Sequence, residues 1–314
     1  MRRHGGEGSA TAAIGVLTNV RYWILAALAA GLLVGPLGDA SSALLTVSLI
    51  VMMSFSLDGL EFRREDLGSN GRGMVLSILG CFGVSLLMTL AVGFPFAASH
   101  PEIWKGWILL ACMPAAVSVV TATLILGGNT KLSVLGLTSV YLVSLVATPL
   151  LTYLLLGSAA DPMQILRYVL LFIALPFLLS FPVKRLRVPR VPRSIVINAA
   201  FFVLIFTAFG SNRDFFFSEP ALMAALAGAT LLRLALITFP TDRILRRRGT
   251  GKDSRMVYVF MAFWKNSGMA AAMSFLLFEN AQTALPSVMA VVVDMIWFIF
   301  ILWYYGEREG DPAA

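Results

Sequence analysis

The chain has 314 residues, of which 58% are hydrophobic and 13% are charged, and its mean hydropathy is +0.84. Soluble globular domains carry about 25% charged residues, so this composition excludes that class and indicates a membrane protein. The formal net charge of +7 would suggest a nucleic-acid partner in a soluble protein. Here its distribution along the chain gives a different explanation.

Ten apolar stretches approach the length of about 20 residues that a helix needs to cross a bilayer. They predict spans 1 to 10 at residues 22–39, 41–59, 74–98, 103–127, 132–157, 164–183, 194–216, 220–242, 256–278 and 284–305. The polar residues 1–20 before span 1 lack the short apolar core and cleavage site of a signal peptide. We therefore predict one all-α, polytopic membrane domain over residues 1–314.

The basic residues alternate between the two sides of the predicted membrane. With the N-terminus in the cytoplasm, Lys105, Arg167 and Arg213 fall on the opposite side, and Arg233 and Lys265 fall inside spans. All other Lys and Arg residues fall on the cytoplasmic side, as the positive-inside rule requires. We expect both termini in the cytoplasm, a location in the cell (inner or plasma) membrane with the lipid bilayer as partner, and no nucleic-acid binding.

Two spans are interrupted at mid-depth. Span 4 contains Met113-Pro114-Ala115-Ala116-Val117-Ser118, and span 9 contains Trp264-Lys265-Asn266-Ser267-Gly268. Unwound backbone at this depth is tolerated only where it is buried in protein or lines a cavity. Two such breaks, five spans apart, are typical of secondary transporters with a central binding site.

The polar loop at residues 157–162 divides the ten spans into two sets of five, residues 22–157 and 164–305. Because five is an odd number, the second set enters the membrane from the opposite face. Any structural duplication is therefore inverted, as in many secondary transporters.

Several segments resemble the bile acid:sodium symporter family, and the resemblance covers nearly the whole chain. They are Met52 to Leu60, Pro114 followed by Gly128-Asn129 and Leu132-Ser133, Asn266-Ser267-Gly268, and Ala284-Leu285-Pro286. The resemblance implies two inverted five-helix repeats, with a core of spans 3–5 and 8–10 and a panel of spans 1, 2, 6 and 7. It also implies that the broken spans 4 and 9 cross, and that substrate binds in the crevice between core and panel.

The family's sodium-binding positions carry different residues in this chain. The resemblance places Val119-Val120 at a Ser-Asn pair, Leu137 at a Thr, Met261 at a Glu and Lys265 at a Gln, and it leaves Ser133 unchanged. Hard cations need oxygen ligands, so we expect both sodium sites to be dismantled. A sodium-coupled symporter with a degenerate site, held by backbone carbonyls, remains an alternative.

Three charged residues lie at mid-depth, where an ionised side chain costs at least about 2.5 kcal/mol. They are Lys265 in span 9, Asp294 in span 10 and Arg233 in span 8. We expect Lys265 to replace a coupling cation, either as a fixed charge or by exchanging a proton, with Asp294 as its partner. A structural ion pair is the alternative for these residues. Asn266, Ser267, Ser118, Pro114, Ala115 and Ser133 complete the predicted substrate and coupling site.

Other functional classes find less support. The only histidines, His4 and His100, lie outside the spans, and Asp58 is far from Asp294, so neither a Ser-His dyad nor a paired-aspartate protease is expected at depth. We expect no cofactor and no metal site. Cys81 and Cys112 fit buried small residues, although an arsenite-type metalloid exporter using Cys112 is an alternative. A membrane sensor would need an appended domain.

The sequence therefore predicts a secondary transporter that moves a small organic solute, an anion, by alternating access without sodium.

Overall fold

The structure is a computed structural model that describes residues 14–57, 64–157 and 160–306, with the side chains of residues 64–70 excepted. The secondary structure of these residues is helical, and a single isolated β-bridge is the only extended pairing within them. The all-α prediction is therefore confirmed. His4, Asp58-Gly59-Leu60 of the span 2 segment, and residues 158 and 159 of the loop between the predicted repeats lie outside the described residues.

The helices follow one another along the chain with short connections. They are α1 (Val20–Val34), α2 (Ala40–Leu57), α3 (Arg64–Leu79), α4 (Ser85–Gly93), α5 (Phe96–Ser99), α6 (Pro101–Cys112), α7 (Ser118–Ile125), α8 (Thr130–Leu156), α9 (Pro162–Val169), α10 (Leu175–Arg185), α11 (Arg190–Ser211), α12 (Arg213–Ser218), α13 (Pro220–Arg247), α14 (Lys252–Phe263), α15 (Ser267–Phe278) and α16 (Ala281–Gly306). Two π-helical turns, Gly80–Val84 and Leu170–Ala174, join α3 to α4 and α9 to α10.

Seven helical stretches within the described residues are long and apolar enough to cross a membrane. They are Ala40–Leu57, Gly71–Gly93, Thr130–Leu156, Pro162–Arg185, Arg190–Ser211, Pro220–Arg247 and Ala281–Gly306. The other three predicted spans do not reach that length as continuous helices, because α1 has 15 residues and spans 4 and 9 are each divided in two. The protein is multi-pass, and the count of ten spans and the inverted repeats remain predictions.

The chain forms two compact units. The first contains residues Met1–Gly59 and Leu170–Ser218. Within it α11 packs against α1 and α2, and α2 also packs against α10. Gly31 of α1 permits a close approach, since a Cβ there would lie 2.8 Å from the Phe206 carbonyl oxygen of α11.

The second unit contains residues Leu60–Val169 and Glu219–Ala314. Its α16 packs against α6, α13 and α15, while α3 packs against α8. Gly106 of α6 is required by this packing, because a Cβ there would overlap the Thr283 carbonyl of α16. This unit holds both interrupted spans, so the candidate site can be described within it alone.

Candidate substrate and coupling site

The first interruption lies between α6 and α7. The last residue of α6 is Cys112, and the next residue, Met113, has an extended backbone (φ −73°, ψ 153°). Pro114 is a sufficient cause, since a proline lacks an N–H and disfavours helical conformation in the residue before it. The helix resumes at Ser118.

The second interruption, between α14 and α15, contains no proline. Trp264 is extended (φ −93°, ψ 92°) after the last residue of α14, Phe263. The next helix begins where the Asn266 side chain accepts a 3.0 Å hydrogen bond from the Met269 N–H. This N-cap gives the backbone a polar partner that a continuous helix would not use.

The two breaks pair with each other. Ala115 and Lys265 form an isolated antiparallel bridge. Two main-chain hydrogen bonds of 2.9 Å flank it, from the Ala116 N–H to the Trp264 carbonyl and from the Asn266 N–H to the Pro114 carbonyl. The broken segments thus satisfy each other's backbone groups, which is what unwound chain needs at membrane depth.

The Lys265 side chain is almost completely buried, at 1% exposure. Its ammonium donates hydrogen bonds of 2.8 Å to the main-chain carbonyls of Cys81 and Met113, and it lies 3.5 Å from the Cys81 sulfur. It also lies 5.2 Å from the centroid of the Phe82 ring, within cation–π distance. The cation is therefore bound by carbonyl oxygens from two different elements.

Both carbonyls are available for a local structural reason. Met113 follows the end of α6, where carbonyls have no helical partner and the helix dipole is negative. Cys81 lies in the π-helical turn, and the Ser85 N–H, which would bond to Cys81 in an α-helix, bonds to Gly80 instead. An end of one helix and a π turn of another thus create a site for a cation.

Asp294 does not pair with Lys265 as the sequence suggested. Its Oδ1 accepts a 2.9 Å hydrogen bond from Nη2 of Arg233, and both side chains are buried. The Arg233 Nη1 also contacts the carbonyl of Phe263 at 3.5 Å, at the C-terminal end of α14. The carboxylate therefore pairs with Arg233, and Lys265 is bound by main-chain carbonyls instead.

Ser267 and Asn266 connect this ion pair with the rest of the core. The Ser267 hydroxyl donates to Oδ2 of Asp294 at 3.1 Å, at the first residue of α15. The carboxylate is thus near the positive end of one half-helix, while Arg233 is near the negative end of the other. The Asn266 amide donates to the Tyr141 hydroxyl at 3.1 Å, which links the break to α8.

Two of the predicted site residues, Ser118 and Ser133, are not part of the hydrogen-bonded group at the paired breaks. Ser118 begins α7 and is half-buried. Ser133 is buried in the first turns of α8, where its hydroxyl donates to the Thr130 carbonyl at 2.9 Å. That bond is local to α8. Pro114, Ala115, Asn266, Ser267, Arg233, Asp294 and Lys265, in contrast, are connected through the paired breaks.

Of the four apolar residues that the resemblance places at sodium-binding positions of the family, Val120 is half-buried and the other three are fully buried. Val119, Leu137 and Met261 are each 0% exposed. The Met261 side chain lies against α8, where its methyl group would contact a Cβ placed at Gly136. These positions therefore present hydrocarbon or thioether groups, which are poor ligands for a hard cation.

The sequence reasoning missed the roles of Cys81 and Tyr141. Cys81 is buried, as expected, but it also supplies a carbonyl to Lys265. A main-chain carbonyl is present at every residue, so the identity of the side chain does not predict this ligand. Tyr141 had a signal, since a phenol at mid-depth of an apolar span needs a hydrogen-bond partner. Cys112 is buried, and its carbonyl accepts a 2.9 Å hydrogen bond from the Thr148 hydroxyl.

Comparison with known proteins identifies the family of this chain. A model of the SBF-like CPA transporter family matches residues 21–303. The chain is also 24% identical over 229 residues to a Pseudomonas aeruginosa protein named Uncharacterized protein PA2026, covering 68% of this chain and 69% of that one. The resemblance to bile acid:sodium symporters is confirmed by the family match.

Proposed function

Because the chain belongs to the SBF-like CPA transporter family, and is thus a membrane transporter of a small-molecule substrate, we propose a specific mode of transport. The protein is a secondary transporter that moves a small organic anion by alternating access, without sodium. In this proposal, the Lys265 ammonium takes the place of a coupling cation. The single observation that carries it is the pair of 2.8 Å hydrogen bonds from Lys265 to the carbonyls of Cys81 and Met113.

The arrangement around Lys265 supports the absence of sodium coupling. Carbonyl oxygens of unwound segments and helix C-termini are the groups that hold sodium in transporters with broken helices. Here an ammonium already binds two such carbonyls. The side chains of Met261 and Leu137, which the resemblance places at sodium-binding positions of the family, contain no oxygen. A bound sodium ion would have to compete with a covalently attached cation.

The charge around the breaks supports an anionic substrate. Among the described residues, the buried charged side chains there are Lys265, Arg233 and Asp294. Asp294 is paired with Arg233, so the ammonium of Lys265 leaves one positive charge without a carboxylate partner. The N-terminus of α7 adds a positive dipole end beside Ala116 and Ser118, which are both half-buried. A carboxylate or sulfonate would complement this field.

Coupling to protons fits the same site. An ammonium that lost its proton would no longer bind the two carbonyls as a cation, so transport could be coupled to protonation of Lys265.

The positions of the Lys- and Arg-rich loops along the chain support an orientation with both termini in the cytoplasm.

A ligand screen by thermal unfolding tests the proposal. Purified protein in choline or potassium buffer is screened with small carboxylates, sulfonates, matched neutral solutes and organic cations. We expect stabilisation by one or more anions, because a ligand at 100 times its Kd stabilises the folded state by about 2.7 kcal/mol. Binding by the anion should weaken in Lys265→Gln and persist in Lys105→Gln, which removes a surface ammonium. Stabilisation by neutral or cationic solutes alone would contradict it.

A further inference from the structure

One face of α13 is exposed along its second half and changes from apolar to basic. Leu232, Leu236 and Phe239 are 52%, 42% and 40% exposed, and Arg243 and Arg247 follow on the same face and are also exposed. The spacings of four, three, four and four residues keep these five side chains in one stripe. We call this stripe the α13 face.

Aromatic residues of α16 lie beside the α13 face where its apolar part ends. The Phe239 ring is 5.8 to 6.1 Å from the rings of Trp297, Phe300 and Tyr304. Trp303, next to Phe300, is 55% exposed. Such aromatic clusters are typical of the boundary between hydrocarbon and headgroups, so the arginines follow at headgroup level.

The guanidinium groups at this end of α13 are not neutralised by the nearest carboxylate. Asp242 is buried and accepts hydrogen bonds from Arg255 at 2.7 Å, Tyr305 at 2.7 Å and Tyr304 at 3.1 Å. Among the residues that the structure describes, Arg243 and Arg247 have no carboxylate partner. Arg246 and Arg248, both exposed, add to the positive charge of the same turn.

We propose that the α13 face is a binding site for an anionic phospholipid. One acyl chain lies along Leu232, Leu236 and Phe239, and the phosphate binds Arg243 and Arg247. A lipid is the one class of ligand that meets both parts of the stripe while the apolar part stays within the bilayer. Nucleic acid or an acidic protein would reach only the arginines. This site is separate from Lys265 and does not depend on the transported substrate.

The test is a lipid titration in neutral detergent micelles, with bound lipid counted by native mass spectrometry. The probes are phosphatidylglycerol, phosphatidylcholine and glycerol 1-phosphate, which carries the phosphate without acyl chains. The variant Arg243→Gln/Arg247→Gln removes the headgroup contacts. The matched control Arg185→Gln/Arg190→Gln removes two exposed arginines from the first unit.

We expect phosphatidylglycerol to bind the wild type roughly 30-fold more tightly than the α13 variant, since each basic residue at an anionic headgroup contributes about 1 kcal/mol. The Kd of the control variant for phosphatidylglycerol should lie within about threefold of the wild-type Kd. Equal losses in both variants, or no loss in either, would overturn the proposal. So would phosphatidylcholine binding as tightly, or glycerol 1-phosphate displacing the lipid at equal concentration, since the chains would then contribute nothing.

Discussion

Met113 and Lys265 are 152 residues apart in the chain, and a 2.8 Å hydrogen bond joins the carbonyl of the first to the ammonium of the second. Each residue belongs to the interruption of a different span. The positive charge carried by one break is therefore bound at the negative end of the half-helix that precedes the other. This contact joins the two breaks and, with the Cys81 carbonyl, holds a cation in the buried interior of the second unit.

The first prediction is that substrate binding does not depend on sodium. An anion found in the ligand screen should bind with the same Kd when sodium replaces choline at constant ionic strength, because Lys265 already supplies the cation. Isothermal titration calorimetry measures this directly. A saturable gain of tenfold or more in affinity, about 1.4 kcal/mol, that potassium cannot reproduce would refute it.

The second prediction is that removing the Lys265 side chain creates sodium sensitivity. Lys265→Ala leaves the Cys81 and Met113 carbonyls without a donor, at about 1 to 3 kcal/mol for each buried group, and opens space beside them. Sodium at 100 mM should restore about 1.4 kcal/mol if its Kd is near 10 mM. Thermal unfolding in sodium against potassium reports the difference.

Lys265→Met is the matched control for that measurement. Its side chain fills most of the space of the lysine and carries no charge, so sodium should not stabilise it. If the Ala and Met variants respond to sodium equally, the carbonyls near residue 265 do not form the sodium-sensitive site.

The third prediction concerns the ion pair between Arg233 and Asp294. Arg233→Met and Asp294→Leu should each destabilise the protein by about 3 to 5 kcal/mol, because each leaves one buried charge without a partner. The double variant should be more stable than either single variant. A double-mutant cycle of unfolding free energies in detergent measures the coupling.

The surface pair of Glu102 and Lys105, 2.6 Å apart and partly exposed, is the control for this cycle. Its coupling should be no more than about 1 kcal/mol. Strictly additive losses for Arg233 and Asp294 would mean that the two charges do not stabilise each other.

The sequence predicts the positions of the two breaks and of the buried charges better than it predicts which charges pair. Pro114 predicts the first break through its missing N–H, and the polar run from Lys265 to Ser267 predicts the second. The three charges Lys265, Arg233 and Asp294 give two possible pairings, and which one forms depends on the rotation of α13 and α16 about their axes. That rotation follows from packing, such as the close contact of Gly106 with Thr283, and no local pattern encodes it.

The fourth prediction is that water reaches the first break more easily than the second. Ser118 is half-buried, whereas Ser267 is 5% exposed. In a variant with Cys81→Ser and Cys112→Ser, a water-soluble thiol reagent should label Ser118→Cys faster than Ser267→Cys. A bound anion should slow the labelling of Ser118→Cys. Mass spectrometry of timed samples gives both rates.

Faster labelling of Ser267→Cys, or no labelling of either variant in the presence or absence of anion, would contradict this prediction. The second outcome would mean that both breaks are sealed kinks. Each variant must retain the unfolding temperature of its parent for the comparison to hold.

Part of the cation site depends on the number of residues in the π-helical turn at Gly80–Val84. A π turn contains one residue more than the α-helical turn it replaces, and here that extra residue leaves the Cys81 carbonyl to Lys265. Replacing Cys81 by alanine keeps the carbonyl, whereas deleting one residue of the turn would give the carbonyl back to the helix. Because the π turn holds the extra residue within itself, α4 would keep its orientation, and Ser85 and Thr89 would stay on their buried face. In homologous chains, a one-residue gap at this place would therefore mark the loss of the cation site, even where every neighbouring side chain is identical.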